Sequence, residues 1–167
     1  MGQVRFIADV HFGHKNCAKW RGFDSAEEHD EYLIQEWNKV VLKRDTVYLL
    51  GDLSMENKKY YHLIDRLNGL INVVLGNHDR RQDVPAMLEH VNSVSGAMNY
   101  KGYFLTHCPM HKSELNYRNV RGNIHGHIHN RIITKYGFLK IPDRKYINVA
   151  CEQVGYQPKT LEELLEK

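Results

Sequence analysis

Five short apolar runs in this chain each stop at a residue that can bind metal or turn the backbone: FIAD at Asp9, VYLLGD at Asp52, INVVLGN at Asn77, YFLTH at His107 and NIHGH at His127. Runs of this length, bounded by glycine and polar residues, read as buried strands. A chain that ends strand after strand in a ligand-type side chain is constrained to bring those ends together. Open α/β sheets gather their sites in this way, at the carboxyl ends of the strands. In order, the ends supply Asp9-x-His11, Gly51-Asp52, Gly76-Asn77-His78-Asp79, His107 and Gly126-His127-x-His129.

The segments between them set the architecture. Strands are expected from Val4 to Ala8, Thr46 to Leu50 and Ile71 to Leu75. Ser25 opens a helix with Glu28 three residues on, a capping box, and Ala26, Leu33, Trp37, Val40 and Val41 fall near one face of it as far as about Leu42. A second helix is expected from about Asn57 to Leu67. Three strand–helix units predict a parallel sheet. From His90 to Ala150 short apolar runs alternate with glycine turns, including a hairpin at Lys101-Gly102, and read as mostly antiparallel strand. A last helix from Leu161 to Glu166 opens with a second capping box, Thr160 to Glu163.

With 167 residues, the chain suits a single domain over residues 1–167 with one core, burying roughly 70% of its unfolded surface. A net charge of +3 without a lysine and arginine block favours anionic small molecules over nucleic acid. Eleven histidines are the compositional oddity, and histidine is a common ligand for transition metals. The three cysteines, Cys17, Cys108 and Cys151, lack CxxC spacing and suit a reducing cytoplasm. MGQVRFIAD has no signal-peptide pattern and no run reaches the length of a membrane span, so neither secretion nor membrane insertion is expected.

The order of the five blocks resembles the signature of the calcineurin-like metallophosphoesterase superfamily. ADVHFGHKN, THCPMH and NIHGHIHN are similar to a compact subgroup found in bacteria and their phages. The resemblance runs from about Phe6 to about Cys151. It implies an α/β fold, a four-layer αββα sandwich of two mixed β-sheets flanked by helices, with the site at one edge. It implies two divalent metal ions, with manganese expected and iron, zinc, nickel or magnesium as alternatives. Asp9, His11 and His129 would hold one ion, Asn77, His107 and His127 the other, and Asp52 would bridge them. Such a pair clamps the attacking and leaving oxygens of a displacement at phosphorus.

The implied activity is hydrolysis of a small phosphodiester or phosphomonoester, nucleotide-derived or otherwise, by metal-bound hydroxide, with His78 as the general acid. Two divalent ions, two aspartates and a hydroxide leave one positive charge, which a phosphodiester monoanion would neutralise. Many family members read GDxxD, the second aspartate steering the histidine. This chain has Leu53, Ser54 and Met55 after Asp52, so either Asp79 or Glu56 orients His78, or His78 acts without a partner and less efficiently.

Phosphate neutralisation falls to residues in the loops, with His14, Arg21 and Arg80 as the expected substrate contacts and Lys15 and Arg81 as further candidates. A loop-structuring role for His14 and Asn16 is the alternative. His111 is expected in a pocket wall and His125 behind the site or packed in the core. His29, His62 and His90 are expected at the surface or its boundary. Trp20, beside Arg21 in KWRGF, could reach over a substrate. Two rival readings stand: a protein-binding scaffold on the same fold, and a metal-dependent nuclease. The complete ligand set with His78 speaks against the first, and the mild charge against the second. Location in the cytoplasm, of a host cell if phage-encoded, and a homo-oligomer left open complete the expectations.

Overall fold

The computed structural model describes residues 2–55, 57–136 and 139–166. Its main sheet begins with β1 (Val4–Ile7) and β2 (Thr46–Leu49), separated by the helices α1 (Lys15–Trp20) and α2 (Ala26–Val40). After a 3₁₀ helix, Lys58–Arg66, come β3 (Leu70–Val74), α3 (Val84–Met87) and β4 (Ser93–Ser95). Strands β1 to β4 run parallel to their neighbours, and β11 (Lys159–Thr160) joins the far edge antiparallel to β1. The register sets the strand ends level, Ile7 opposite Leu49 and Leu49 opposite Val73, so the three loops that follow leave from one rim.

A second sheet holds β5 (Met98–Tyr100), β6 (Tyr103–Leu105), β7 (Gly122–His125) and β10 (Tyr146–Asn148). Here the structure departs from the antiparallel expectation. Only β5 and β6 form an antiparallel hairpin, turned by Lys101 and Gly102 at φ 48° and 85°, whereas β7 runs parallel to both β6 and β10. The glycine turn between β5 and β6 was visible in the sequence, but the longer connections cross over and return in the same direction. A separate pair, β8 (Thr134–Tyr136) and β9 (Leu139–Pro142), stands apart. The architecture is therefore α/β with mixed sheets.

Local chemistry explains the helix ends. Ser25 accepts from the amide of Glu28, as its capping position requires, while the Glu28 carboxylate turns to the amide of Asp24 and leaves the box half formed. The box at Thr160 and Glu163 opens the helix Leu161–Leu165 with both bonds present. The expected helix after Asn57 is the 3₁₀ turn, and α1, whose six residues carry no cap bond from His14, had no sequence signal.

Buried Phe6, Ile7, Val47, Leu49 and Val73 of the first sheet share one core with Tyr103, Leu105 and Ile124 of the second. Each such side chain contributes roughly 1.5–3 kcal/mol when removed from water. The sheets also meet through backbone: the amide of Ala8 donates to Val149 at 2.8 Å, and the amide of Cys151 donates to Ala8 at 3.1 Å. These bonds bring the rim of β1 against that of β7 and β10. Among the described residues, no helix is long and apolar enough to cross a membrane.

Candidate metal centre

The five blocks converge where the two rims meet. Asp9, His11, Asp52, His127 and His129 take left-handed backbone at φ 60°, 51°, 57°, 70° and 49°. Non-glycine residues pay of order 1–3 kcal/mol for such conformations, which persist where surrounding structure enforces them. The blocks at Asp9, Asp52 and His127 therefore leave their strands by curling at once. His127 and His129 lie in the bend and turn that follow β7.

Close approach explains the glycines. A Cβ on Gly126 would lie 2.4 Å from Asp9 Oδ2, and one on Gly76 would lie 2.2 Å from Asp52 Oδ1. Both carboxylates press against bare backbone, a place only glycine leaves open. Asp9 also accepts the amide of His127, at 3.1 and 2.9 Å.

Hydrogen bonds set which nitrogen His107 and His129 offer. His107 Nδ1 donates to the Leu50 carbonyl at 2.8 Å, so neutral His107 presents a lone pair at Nε2. Around that atom stand Asn77 Oδ1 at 2.9 Å, His127 Nδ1 at 3.2 Å and Asp52 Oδ2 at 3.3 Å. The same Asp52 oxygen is 3.7 Å from His11 Nε2. Acceptors facing acceptors are repulsive until a cation enters. Burial works against a charge on His107, but the hydrogen bond and charge of Asp52, the charge of Asp9 and the bond to Leu50 together raise its affinity for a proton. Burial also opposes ionisation of Asp52, but the hydrogen bond and charge of His107 hold its carboxyl at about 2.

Burial pushes the Asp9 carboxyl up to about 6 and His11 down to about 3, which keeps the His11 ring neutral. His11 Nδ1 is buried with no hydrogen-bond partner among the described residues. Donors in three groups lie close enough together to hold an ion: Asp9 with His11 and His129, Asp9 with Asp52 and His107, and His107 with Cys108 and His127. Carboxylate, amide oxygen and imidazole converging from different strands fit divalent transition ions. The seven residues expected as ligands are thus brought together.

Behind them lies a network the sequence reading missed. His129 Nδ1 donates to Glu152 Oε1 at 3.2 Å, leaving Nε2 for the centre. Glu152 in turn receives Arg21 Nε at 2.7 Å, and Arg21 also donates to the Asp9 carbonyl at 2.7 Å and bonds His29 Nε2 at 2.9 Å. His29 Nδ1 closes the chain on Asp30 at 3.0 Å. Arg21 therefore points inward with a fully buried side chain, and the expectation of a substrate contact is corrected: its guanidinium has no accessible face. His29, expected near the surface, is buried for the same reason. An arginine beside an acidic network far along the chain leaves no local signal.

Asp79 is corrected likewise. Its carboxylate accepts the amides of Asp52, Leu53 and Gly76 at 2.7, 3.0 and 2.8 Å, tying two ligand loops together instead of steering His78. Glu56, the other candidate, lies outside the described residues. His78 donates its amide to Asp52 Oδ1 at 3.0 Å, and its ring is 5.8 Å from that of His11. With His11, His14, Asn16, Trp20 and His129 it lines an open cleft of about 330 Å³. Arg80 is exposed and outside that lining. His111 caps the 3₁₀ turn Lys112–Asn116, and His125 is buried against the Gly126 carbonyl.

Fold and donor cluster together define an α/β protein with a candidate histidine and carboxylate metal centre. The chain is 37% identical over 177 residues to the uncharacterized protein MJ1445 of Methanocaldococcus jannaschii, covering all of this chain and 93% of that one. It belongs to the MJ1445 family. It is also 28% identical over 165 residues to the gene 66 protein of Mycobacterium phage D29, with 80% and 81% of the two chains covered. No protein-family model matches. A protein of unknown function from Aquifex aeolicus, AQ665, shares the fold at TM-score 0.71 and 23% identity over 99% of each chain. An archaeal phosphodiesterase shares it more distantly, at TM-score 0.50 and 15% identity over 89% of this chain and 82% of that one.

Proposed function

We propose that the protein is a dinuclear metal-dependent phosphoesterase of the calcineurin-like kind, hydrolysing a small phosphodiester or phosphomonoester on a four-layer αββα sandwich. The observation that carries this reading is the position of Asp52 Oδ2, between His107 Nε2 at 3.3 Å and His11 Nε2 at 3.7 Å. One oxygen reaching toward both groups of ligands is what a bridging carboxylate requires. The likeness to an archaeal phosphodiesterase supports it at the level of fold.

In this reading Asp9, His11 and His129 hold one ion, Asn77, His107 and His127 the other, and Asp52 both. Manganese is the expected ion, with iron, zinc, nickel or magnesium as alternatives. Bound there, the ions supply Lewis acidity toward a phosphoryl group and lower the pKa of water toward roughly 7. The chain's own residues complete the reaction. Leu50, Glu152 and the amide of His127 hold the ligands in one orientation. His78, fixed by its amide on Asp52 and facing the cleft, gives a proton from its ring to the departing oxygen. His14, on the same cleft, meets a phosphate oxygen.

The test is to strip the protein of metal, reload it with manganese and compare bis-p-nitrophenyl phosphate with p-nitrophenyl phosphate. Metal-dependent turnover of either supports the reading, and the ratio divides diesterase from phosphatase. Two bound ions with no turnover of either ester would sink it.

A further inference from the structure

The cleft beside the donor cluster has one wall that the phosphoryl chemistry leaves unused. Trp20 is 56% exposed, whereas Trp37, the chain's other tryptophan, is fully buried and donates its indole N–H to Asn68. A single exposed tryptophan on a surface needs no explanation. This one stands against a candidate metal ligand: its ring meets the His129 ring edge to face, with centroids 5.3 Å apart at 81°. It lines the cleft together with His11, His14 and His78.

The backbone that carries the indole is held in place. Trp20 ends α1, whose Cys17 and Ala18 are buried, and the next residue, Arg21, is pinned to the Asp9 carbonyl and Glu152. A planar apolar surface is thus carried on a fixed backbone beside the expected phosphate position, which lowers the cost of ordering it when a ligand arrives. Lys15 and Lys19, exposed on the same short helix, add positive charge near that rim.

We propose that Trp20 is the stacking platform of a subsite for the planar aromatic part of the substrate, and that the substrate class is a small nucleotide phosphodiester. This rests on the phosphoesterase reading for the placement of the phosphate. The indole takes the base face-on while the phosphate lies over the donor cluster, and Asn16 on the cleft wall offers an amide to the base edge. Stacking of a base on an aromatic side chain does not depend on base identity, so the subsite selects for a base without selecting which one.

The experiment is calorimetric titration of manganese-loaded protein with adenosine 5′-monophosphate and with ribose 5-phosphate, which carries a hydroxyl where the nucleotide carries its base. The nucleotide is expected to bind roughly five- to hundredfold more tightly. That advantage should vanish in Trp20→Ala and survive in Trp20→Phe, with manganese content measured in each variant. Equal affinity of the two ligands for the unaltered protein, or an advantage that persists in Trp20→Ala, overturns the subsite. Because binding is read without turnover, a base-dependent advantage in a protein that hydrolyses neither a phosphodiester nor a phosphomonoester would keep the subsite and discard the phosphoesterase reading.

Discussion

The backbone amide of His127 donates to both carboxylate oxygens of Asp9, at 3.1 and 2.9 Å, across 118 residues of sequence. This contact is possible because Gly126 lets the turn close onto the carboxylate. Gly126→Ala would place a methyl group 2.4 Å from Asp9 Oδ2. A cost of about 1–3 kcal/mol in stability is expected from the overpacking. Thermal denaturation of the metal-free variant reads that cost, and metal titration should register displacement of Asp9 as weaker binding. An unchanged melting temperature and affinity would contradict the tight fit.

Glu152→Gln removes the charged partner of His129 Nδ1 while keeping its size. Metal affinity is expected to fall about 10- to 100-fold, as for other partners of metal-bound histidines. Arg21→Lys, which cannot reproduce the branched contacts to Glu152, Asp9 and His29, should fall in the same range. Competition with a chelator measures both, and wild-type affinity in both variants would refute the positioning role.

His78→Ala is expected to retain its metal ions and to lose about 10²- to 10⁴-fold in kcat on an ester with an alkoxide leaving group. With p-nitrophenolate, which departs without a proton, the loss should be much smaller. Equal losses on the two leaving groups would remove His78 from the acid role.

Asp45 gives a pH dependence away from the metal centre. Burial works against its ionisation, but the amides of Leu42 and Gln3, at 2.9 and 2.8 Å, and the Arg5 guanidinium hold its carboxyl below the ordinary value. With the folded value depressed, its stabilisation is fully present above the unfolded value of about 3.9 and is lost as pH falls through the folded one. Asp45→Asn should lower stability by about 1–3 kcal/mol at pH 7 and flatten the acid limb below about pH 4. Denaturant midpoints measured against pH test this. Parallel curves for the two proteins would rule it out.

The strand ends and their ligand-type residues were legible because hydrophobic runs and punctuating glycines are local signals. Gly76 and Gly126 stand in the sequence next to the carboxylate-crowding turns they permit. Arg21 was misread because its direction is set by Glu152, 131 residues away. Asp79 was misread because backbone amides, which a sequence pattern does not display, compete for its oxygens. The parallel strands of the second sheet were read as antiparallel because short strands with glycine turns have the same periodicity in either direction.

The contacts from Asp9 to His127 and from Arg21 to Glu152 also bear on how the molecule is made. Synthesis runs from the amino terminus, so Asp9 and His11 emerge well before the partners that hold and complete them. A nascent chain interrupted before His127 carries no closed donor set, however well its first sheet has formed. Tight metal retention would then be acquired late in translation, and prematurely ended chains would be released without it.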